Sequence, residues 1–287
     1  MRFPWDRYEE LPLSKRNTLQ IFITNKCNLK CDGCFARNIM AENDEDLSIS
    51  EYRIAIRNGI AREVKQINIL GGEPLLHSKL DSMCLFNRRH ELKTTIYTNG
   101  IRLEKYDIKY FHDAKLRVSL DSFMRTQKSC TKLLGKGWIQ YIDANFMTTT
   151  KTSADELVAS AKLLEAYGCK VFFIFNKQEL ENEEQEFFNS DDESILSVLE
   201  YKKLVHEFLE MYDGDMEIHI SKRGVFESTL SLPHNKCKFA NYFIGGKIIQ
   251  CPYDVVNLKY QDDYEFDSRY CQQNSTCLMS KIIVKRK

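Results

Sequence analysis

Three thiols crowd one short stretch, Cys27-Asn28-Leu29-Lys30-Cys31-Asp32-Gly33-Cys34, in a CxxxCxxC spacing. A structural zinc site is closed by four ligands, so three local cysteines would have to borrow a distant fourth, with Cys84 or Cys130 as candidates. A [4Fe-4S] cluster held by three thiolates instead leaves one iron with open coordination positions, and an open iron suggests chemistry rather than scaffolding. A second motif follows downstream. Gly71-Gly72-Glu73-Pro74 combines two residues that allow close approach to the backbone with a carboxylate able to accept from a ligand ammonium, a set suited to an amino-acid headgroup. A third group, Cys237, Cys251, Cys271 and Cys277, lies near the C-terminus and supplies enough thiols to saturate one site.

These residues need elements that bring them to one sheet edge. Apolar runs of strand length alternate with amphipathic stretches of helix length, which predicts βα units around a largely parallel sheet. Strands are expected at Leu19 to Thr24, Gln66 to Leu70, Thr94 to Thr98, Leu116 to Leu120, Trp138 to Met147 and Val171 to Phe175. Ser48 followed by Glu51 is a capping box that opens a helix to about Glu63. Further helices are expected at Ser78 to His90, after Ser153, and from Ile195 to Tyr212. In such sheets ligands gather beyond the carboxyl ends of the strands, where both the cysteine loop and Gly71–Pro74 fall.

At these residues the sequence resembles the radical S-adenosylmethionine (SAM) superfamily, with Cys27, Cys31 and Cys34 matching its cluster motif and Gly71-Gly72-Glu73-Pro74 its methionine-binding motif. Thr98-Asn99-Gly100 and Ser119-Leu120-Asp121 also look like sequences found at the corresponding strand ends of the family. The resemblance implies a partial (β/α)6 TIM-like barrel over residues 19–220, an N-terminal arm over 1–18, and Ser119 and Asp121 at the SAM ribose. It also implies a reaction: the open iron chelates SAM, and one electron from the reduced cluster yields methionine and a 5′-deoxyadenosyl radical. An external low-potential donor such as flavodoxin or ferredoxin would reduce the cluster. One position departs from the pattern. Gly33 stands where most members carry an aromatic ring near the adenine, so adenine contacts would come from Phe35 or from later strands.

The C-terminal cysteines resemble the twitch form of the SPASM auxiliary domain, which places a small β-hairpin and irregular cluster-binding domain over residues 221–287. Cys237 and Cys251 flank the hairpin, turning at Gly245-Gly246, and Cys271 and Cys277 complete the set. The cofactors implied are SAM and two [4Fe-4S] clusters; four thiolates also suit zinc. A fully ligated second cluster would exchange electrons with a substrate radical, which favours oxidation. The resemblance thus implies an oxidoreductase acting on a peptide, by cross-linking, epimerisation or dehydrogenation. The alternatives are a dehydrogenase of a sugar, aminocyclitol or nucleoside, a glycyl-radical activating enzyme, and a non-catalytic zinc-stabilised binding module.

Composition bounds the partners. The chain has 287 residues, with Lys plus Arg and Asp plus Glu both totalling 41, so no basic field is available to hold a nucleic acid. Seventeen Phe and 14 Tyr can fill a large interior. The longest apolar run, Val171 to Phe175, is far short of the roughly 20 residues that span a bilayer. With no apolar h-region at the N-terminus, a cytoplasmic protein is expected, where ten cysteines suit metal ligation better than disulfides. Cys84, Cys130 and Cys169 occur singly and read as buried thiols. His77 reads as shaping the loop after Gly71–Pro74; Tyr97, Asn99 and Asn145 lie near strand ends; His90, His112, His206, His219 and His234 have no ligand-like spacing. Residues 179–193 hold eight acids without Lys or Arg, as in a solvated loop.

Overall fold

The computed structural model describes residues 2–11, 18–31, 34, 36, 45–134, 141–176, 196–221, 225, 239–242, 244–249 and 281–287. In chain order its elements are β1 (Tyr8–Leu11), β2 (Thr18–Phe22), α1 (Ile49–Ala61), β3 (Gln66–Leu70), α2 (Leu80–Arg89), β4 (Lys93–Thr98), β5 (Lys115–Leu120) and α3 (Phe123–Leu134). They continue with β6 (Ile142–Thr148), α4 (Ala154–Ala166), β7 (Val171–Asn176), α5 (Val198–Met211), β8 (Glu217–Ser221), β9 (Phe239–Tyr242), β10 (Ile248–Ile249) and β11 (Lys281–Arg286). The fold is α/β with mostly parallel strands, as the alternation of patterns predicts. The chain divides into two compact units, one of Met1–Ser14, Val118–Asn235 and Cys271–Lys287, the other of Lys15–Arg117 and Lys236–Tyr270.

The second unit carries the cysteine loop. Its strands run β4-β3-β2-β9-β10, parallel except for the last pair, with Ile21 opposite Ile69 and Ile69 opposite Ile96. These side chains are fully buried, as β-branched residues on a two-sided parallel sheet should be. Helix α1 opens on the predicted capping box: Ser48 Oγ accepts from the Glu51 amide at 3.2 Å and the Glu51 carboxylate accepts from the Ser48 amide at 3.0 Å. It buries Tyr52, Ala55 and Ile56, and α2 buries Leu80, Met83 and Cys84. The Gly245-Gly246 turn joins antiparallel β9 and β10, both glycines having positive φ.

In the first unit the strands run β1-β11-β8-β7-β6. Parallel β6, β7 and β8 are followed by antiparallel β11 and β1, so the last residues of the chain pair with the first strand, Leu11 opposite Ile283. The sheet has two distinct faces. Phe146 and Phe172 lie on one, where Phe172 reaches Phe208 of α5. Asn145, Phe173 and His219 lie on the other, in one row of register partners. The strands β1, β8 and β11 have no counterpart in the sequence reading.

Candidate functional site

The cysteine loop leaves β2 at Phe22 and is closed at its base by a short antiparallel return. The Leu47 amide donates to the Ile23 carbonyl at 2.8 Å and the Asn25 amide to the Glu45 carbonyl at 3.0 Å, around a Thr24–Asp46 bridge. Asp46 fastens this closure, accepting from Thr24 Oγ1 at 2.6 Å and from Lys26 Nζ at 2.8 Å. Partial burial works against its charge, but the bonds from Lys26 and Thr24 outweigh it and hold the carboxyl below its ordinary range. Cys31 is exposed and Cys27 and Cys34 half-buried. Cys27 Sγ accepts weakly from the Leu29 amide at 3.4 Å. The three thiols share one loop without converging on a point: among the described residues no three His, Cys, Asp or Glu side chains are gathered as a metal site.

Gly71–Pro74 is docked directly on the root of this loop. The Gly72 amide donates to the Thr24 carbonyl and the Glu73 amide to the Lys26 carbonyl, each at 2.8 Å. A Cβ on Gly71 would lie 2.4 Å from the Thr24 carbonyl oxygen, and one on Gly72 would lie 2.3 Å from the Lys26 oxygen and 2.9 Å from Cys27 Cβ. The close approach that these glycines permit is therefore to the backbone carrying the first cysteine. Glu73 is 1% exposed. Its Oε1 accepts from the Leu75 amide at 3.0 Å and from Thr98 Oγ1 at 2.7 Å, and its Oε2 from the Asn99 amide at 2.7 Å. Asn99 in turn donates from its side chain to Asn28 Oδ1 at 2.8 Å. Cysteine loop, glycine loop and Thr98-Asn99-Gly100 are thus one hydrogen-bonded assembly.

His77 supports the same assembly, as its place after the glycine motif suggests. It is buried, bonded to the Leu47 carbonyl at 3.0 Å, and accepts from the Lys79 amide at 3.1 Å, which assigns the proton to Nε2. Burial pushes its pKa down, against the pull of the Leu47 carbonyl and Asp46. Asp46 has no role in the sequence reading; the one available signal is its place just before the Ser48 cap.

The remaining residues are placed as follows. Ser119 is half-buried near the end of β5, in the first unit, and Asp121 is exposed and paired with Arg125 at 2.8 Å. Tyr97 receives Arg117 Nη1 at 2.6 Å. Cys84, Cys130 and Cys169 are buried. Burial pushes Cys130 up to about 12 and Cys169 up to about 11, and raises Cys84 further, so none is poised as a thiolate to close a zinc site with the loop. Gly33, Phe35, residues 179–193 and the cysteines Cys237, Cys251, Cys271 and Cys277 lie outside the described residues. No helix among the described residues is long and apolar enough to cross a membrane.

The family model for the radical SAM superfamily matches residues 21–175, which includes the cysteine loop, the glycine motif and Asn99. The chain belongs to the radical SAM superfamily. It is similar to the GTP 3′,8-cyclase of Helicobacter pylori strain HPAG1, with 25% identity over 93% of this chain and 88% of the cyclase. A probable GTP 3′,8-cyclase of Methanococcus maripaludis strain S2 is 35% identical over 37% of this chain and 36% of its own length. Among solved structures, SuiB of Streptococcus suis bound to S-adenosylmethionine superposes with a TM-score of 0.67 at 17% identity, covering 91% of this chain and 67% of SuiB. SuiB bound to its precursor peptide SuiA gives 0.66 at 16%, covering 92% of this chain and 66% of SuiB. At these identities the likeness to SuiB is one of fold.

As a radical SAM enzyme the chain calls for SAM and one [4Fe-4S] cluster. The donor set fits that cluster: three accessible thiols on one loop whose base is fixed, while the three buried thiols are withheld.

Proposed function

We propose that Cys27, Cys31 and Cys34 ligate the cluster, that Gly71, Gly72, Glu73 and Pro74 receive the methionine end of SAM, and that the enzyme acts on a carbon of a small polar molecule of the nucleotide class. The observation that carries the cofactor reading is the docking of the glycine motif on the cysteine loop, through the Gly72 and Glu73 amides. With Glu73's carboxylate turned into the protein, this motif would meet an ammonium through its backbone carbonyls. When bound, the cluster supplies the electron that cleaves SAM to methionine and a 5′-deoxyadenosyl radical, which takes a substrate hydrogen. The protein's part is to hold the loop's base closed with Asp46 and His77 and to keep the two motifs in register with Asn99.

The substrate class is supported by the similarity to GTP 3′,8-cyclase along nearly the whole chain. A peptide substrate is the second reading, favoured by the spacing of Cys237, Cys251, Cys271 and Cys277, which would hold an auxiliary [4Fe-4S] cluster and make the reaction an oxidation. The test is anaerobic reconstitution followed by incubation with SAM, dithionite and GTP or candidate precursor peptides. A GTP-dependent rise in 5′-deoxyadenosine with a new nucleotide product supports the proposal. Hydrogen transfer from peptide alone overturns the substrate class, and no SAM cleavage in any arm overturns the whole reading. Iron analysis separates the clusters: about eight irons should fall to about four in the Cys27, Cys31, Cys34 triple alanine variant.

A further inference from the structure

Cys27 is held on both flanks, and the two holds meet in one joint. On its N-terminal side the Lys26 carbonyl accepts from the Glu73 amide at 2.8 Å. On its C-terminal side Asn28 Oδ1 accepts from the Asn99 side-chain amide at 2.8 Å. Glu73 and Asn99 are themselves bonded, the Asn99 backbone amide donating to Glu73 Oε2 at 2.7 Å. The path from Lys26 through Glu73 and Asn99 to Asn28 therefore closes into a ring, and the residue enclosed between its two ends is Cys27. Two further contacts bear on the same residue. A Cβ on Gly72 would lie 2.9 Å from Cys27 Cβ, so the root of the thiol is seated against the bare glycine, and the Leu29 amide is directed at Cys27 Sγ at 3.4 Å.

Asn28 is the member of this ring that the core does not need. It is exposed, and replacing a surface residue away from the core changes global stability little. Its partner is oriented toward it: Asn99 Oδ1 accepts from the Ile101 amide at 3.0 Å, which leaves the Nδ2 end of the same planar group to face Asn28. The bond fixes the direction in which the chain leaves Cys27, and with it the place of the Leu29 amide beside the sulfur. Among the described residues the loop thiols do not converge on a point, so a cluster held by all three has to draw them together. A ligand with both flanks fixed gives the others a point to close upon.

We propose that Asn28 is a positioning residue for the cluster, which through Asn99 sets the direction of the Cys27 thiolate and makes Cys27 the anchored ligand of the three. This deepens the cluster assignment above and rests on it. Neither Asn28 nor Asn99 touches the iron in this role; both act through the backbone on either side of the sulfur.

The experiment takes the full chain, loaded anaerobically with iron and sulfide, and challenges it with a chelator in the presence of iodoacetamide at pH 8, following alkylation of each cysteine by peptide mapping. Reagents reach the thiolates by local opening of the loop, which can change while global stability does not. Asn28→Ala should be alkylated at Cys27 about fivefold faster than wild type, the order expected for loss of one hydrogen bond, with the melting temperature of the cluster-free chain unchanged. Asn28→Asp keeps an oxygen acceptor for Asn99 and should restore the wild-type rate. Asn99→Asp keeps the acceptor for the Ile101 amide but turns an oxygen on Asn28, so it should match Asn28→Ala, and the double variant should be no faster than either single one. An unchanged rate at Cys27 in Asn28→Ala would overturn the proposal, as would strictly additive effects in the double variant. Faster alkylation accompanied by a lower melting temperature of the cluster-free chain would assign Asn28 to the fold instead. Wild type separates this from the reading beneath it: if loading protects none of Cys27, Cys31 and Cys34, the cluster assignment itself fails.

Discussion

The Asn99 amide, itself half-buried, donates to the buried Glu73 Oε2 at 2.7 Å. Through this bond the end of β4 holds the loop that follows β3, and Asn99's side chain passes the restraint to Asn28 in the cysteine loop. A residue that sequence reasoning offers as a ligand contact is in this structure also the joint between three loops.

Glu73→Gln separates these roles. The carboxylate takes two hydrogens at Oε1 and one at Oε2, and an amide nitrogen can accept none of them. Either the Asn99 amide or the two donors at Oε1, the Leu75 amide and the Thr98 hydroxyl, would face an N–H. The expected cost is about 1–3 kcal/mol, read by urea denaturation without SAM. Stability equal to wild type, with only SAM affinity reduced, would show that the joint is dispensable.

The glycines of the same motif yield a steric prediction. Gly72→Ala places a methyl 2.3 Å from the Lys26 carbonyl oxygen, so backbone must move. A loss of about 1–3 kcal/mol is expected, together with poorer iron incorporation, because the displaced segment carries Cys27. Gly245→Ala is the control. Its Cβ would meet nothing within 4 Å, leaving only the cost of a positive φ, about 1–2 kcal/mol, and iron loading at the N-terminal motif should be unchanged.

Acid should loosen the base of the cysteine loop before the rest of the fold. Burial keeps the folded-state pKa of His77 below its ordinary 6.5, so as pH falls the unfolded chain binds that proton first. Stability is full above pH 6.5 and declines below it until the folded-state pKa is passed. Asp46 has a lowered pKa, so its contribution is full above its ordinary 3.8 and is lost as pH falls through the folded value. Melting temperatures from pH 7.5 to 5 should fall for wild type and fall less for His77→Gln. Parallel curves would remove His77 from the account.

Much of this was legible because the signals are local. The capping box at Ser48 and Glu51 needs only four residues to declare itself, and the strands at Ile21, Ile69 and Ile96 each carry β-branched or aromatic residues that the sheet buries. What escaped depends on distant pairing. Tyr8–Leu11 and Lys281–Arg286 are short, charged segments that become strands because they pair with one another, at opposite ends of the chain. His219 has no ligand-like neighbour in sequence, and its partner Lys281 is brought to it by β11. Asp46 bonds Thr24 and Lys26 across the whole cysteine loop, a closure no periodicity encodes.

The six described thiols should separate cleanly by reactivity. Thiolate is the attacking species, and burial raises the pKa of Cys130 to about 12 and of Cys169 to about 11, with Cys84 also raised. Cys31 is exposed and Cys27 and Cys34 half-buried, so iodoacetamide at pH 8 should modify these three first in chelator-treated protein, by peptide mapping. Loading with iron and sulfide should protect the same three together, since each would be a ligand of one cluster. Reaction at Cys84, Cys130 or Cys169 as fast as at Cys31 would mean that the buried set is accessible. Protection of only two of the three loop cysteines would break the three-thiolate assignment on which the open iron depends.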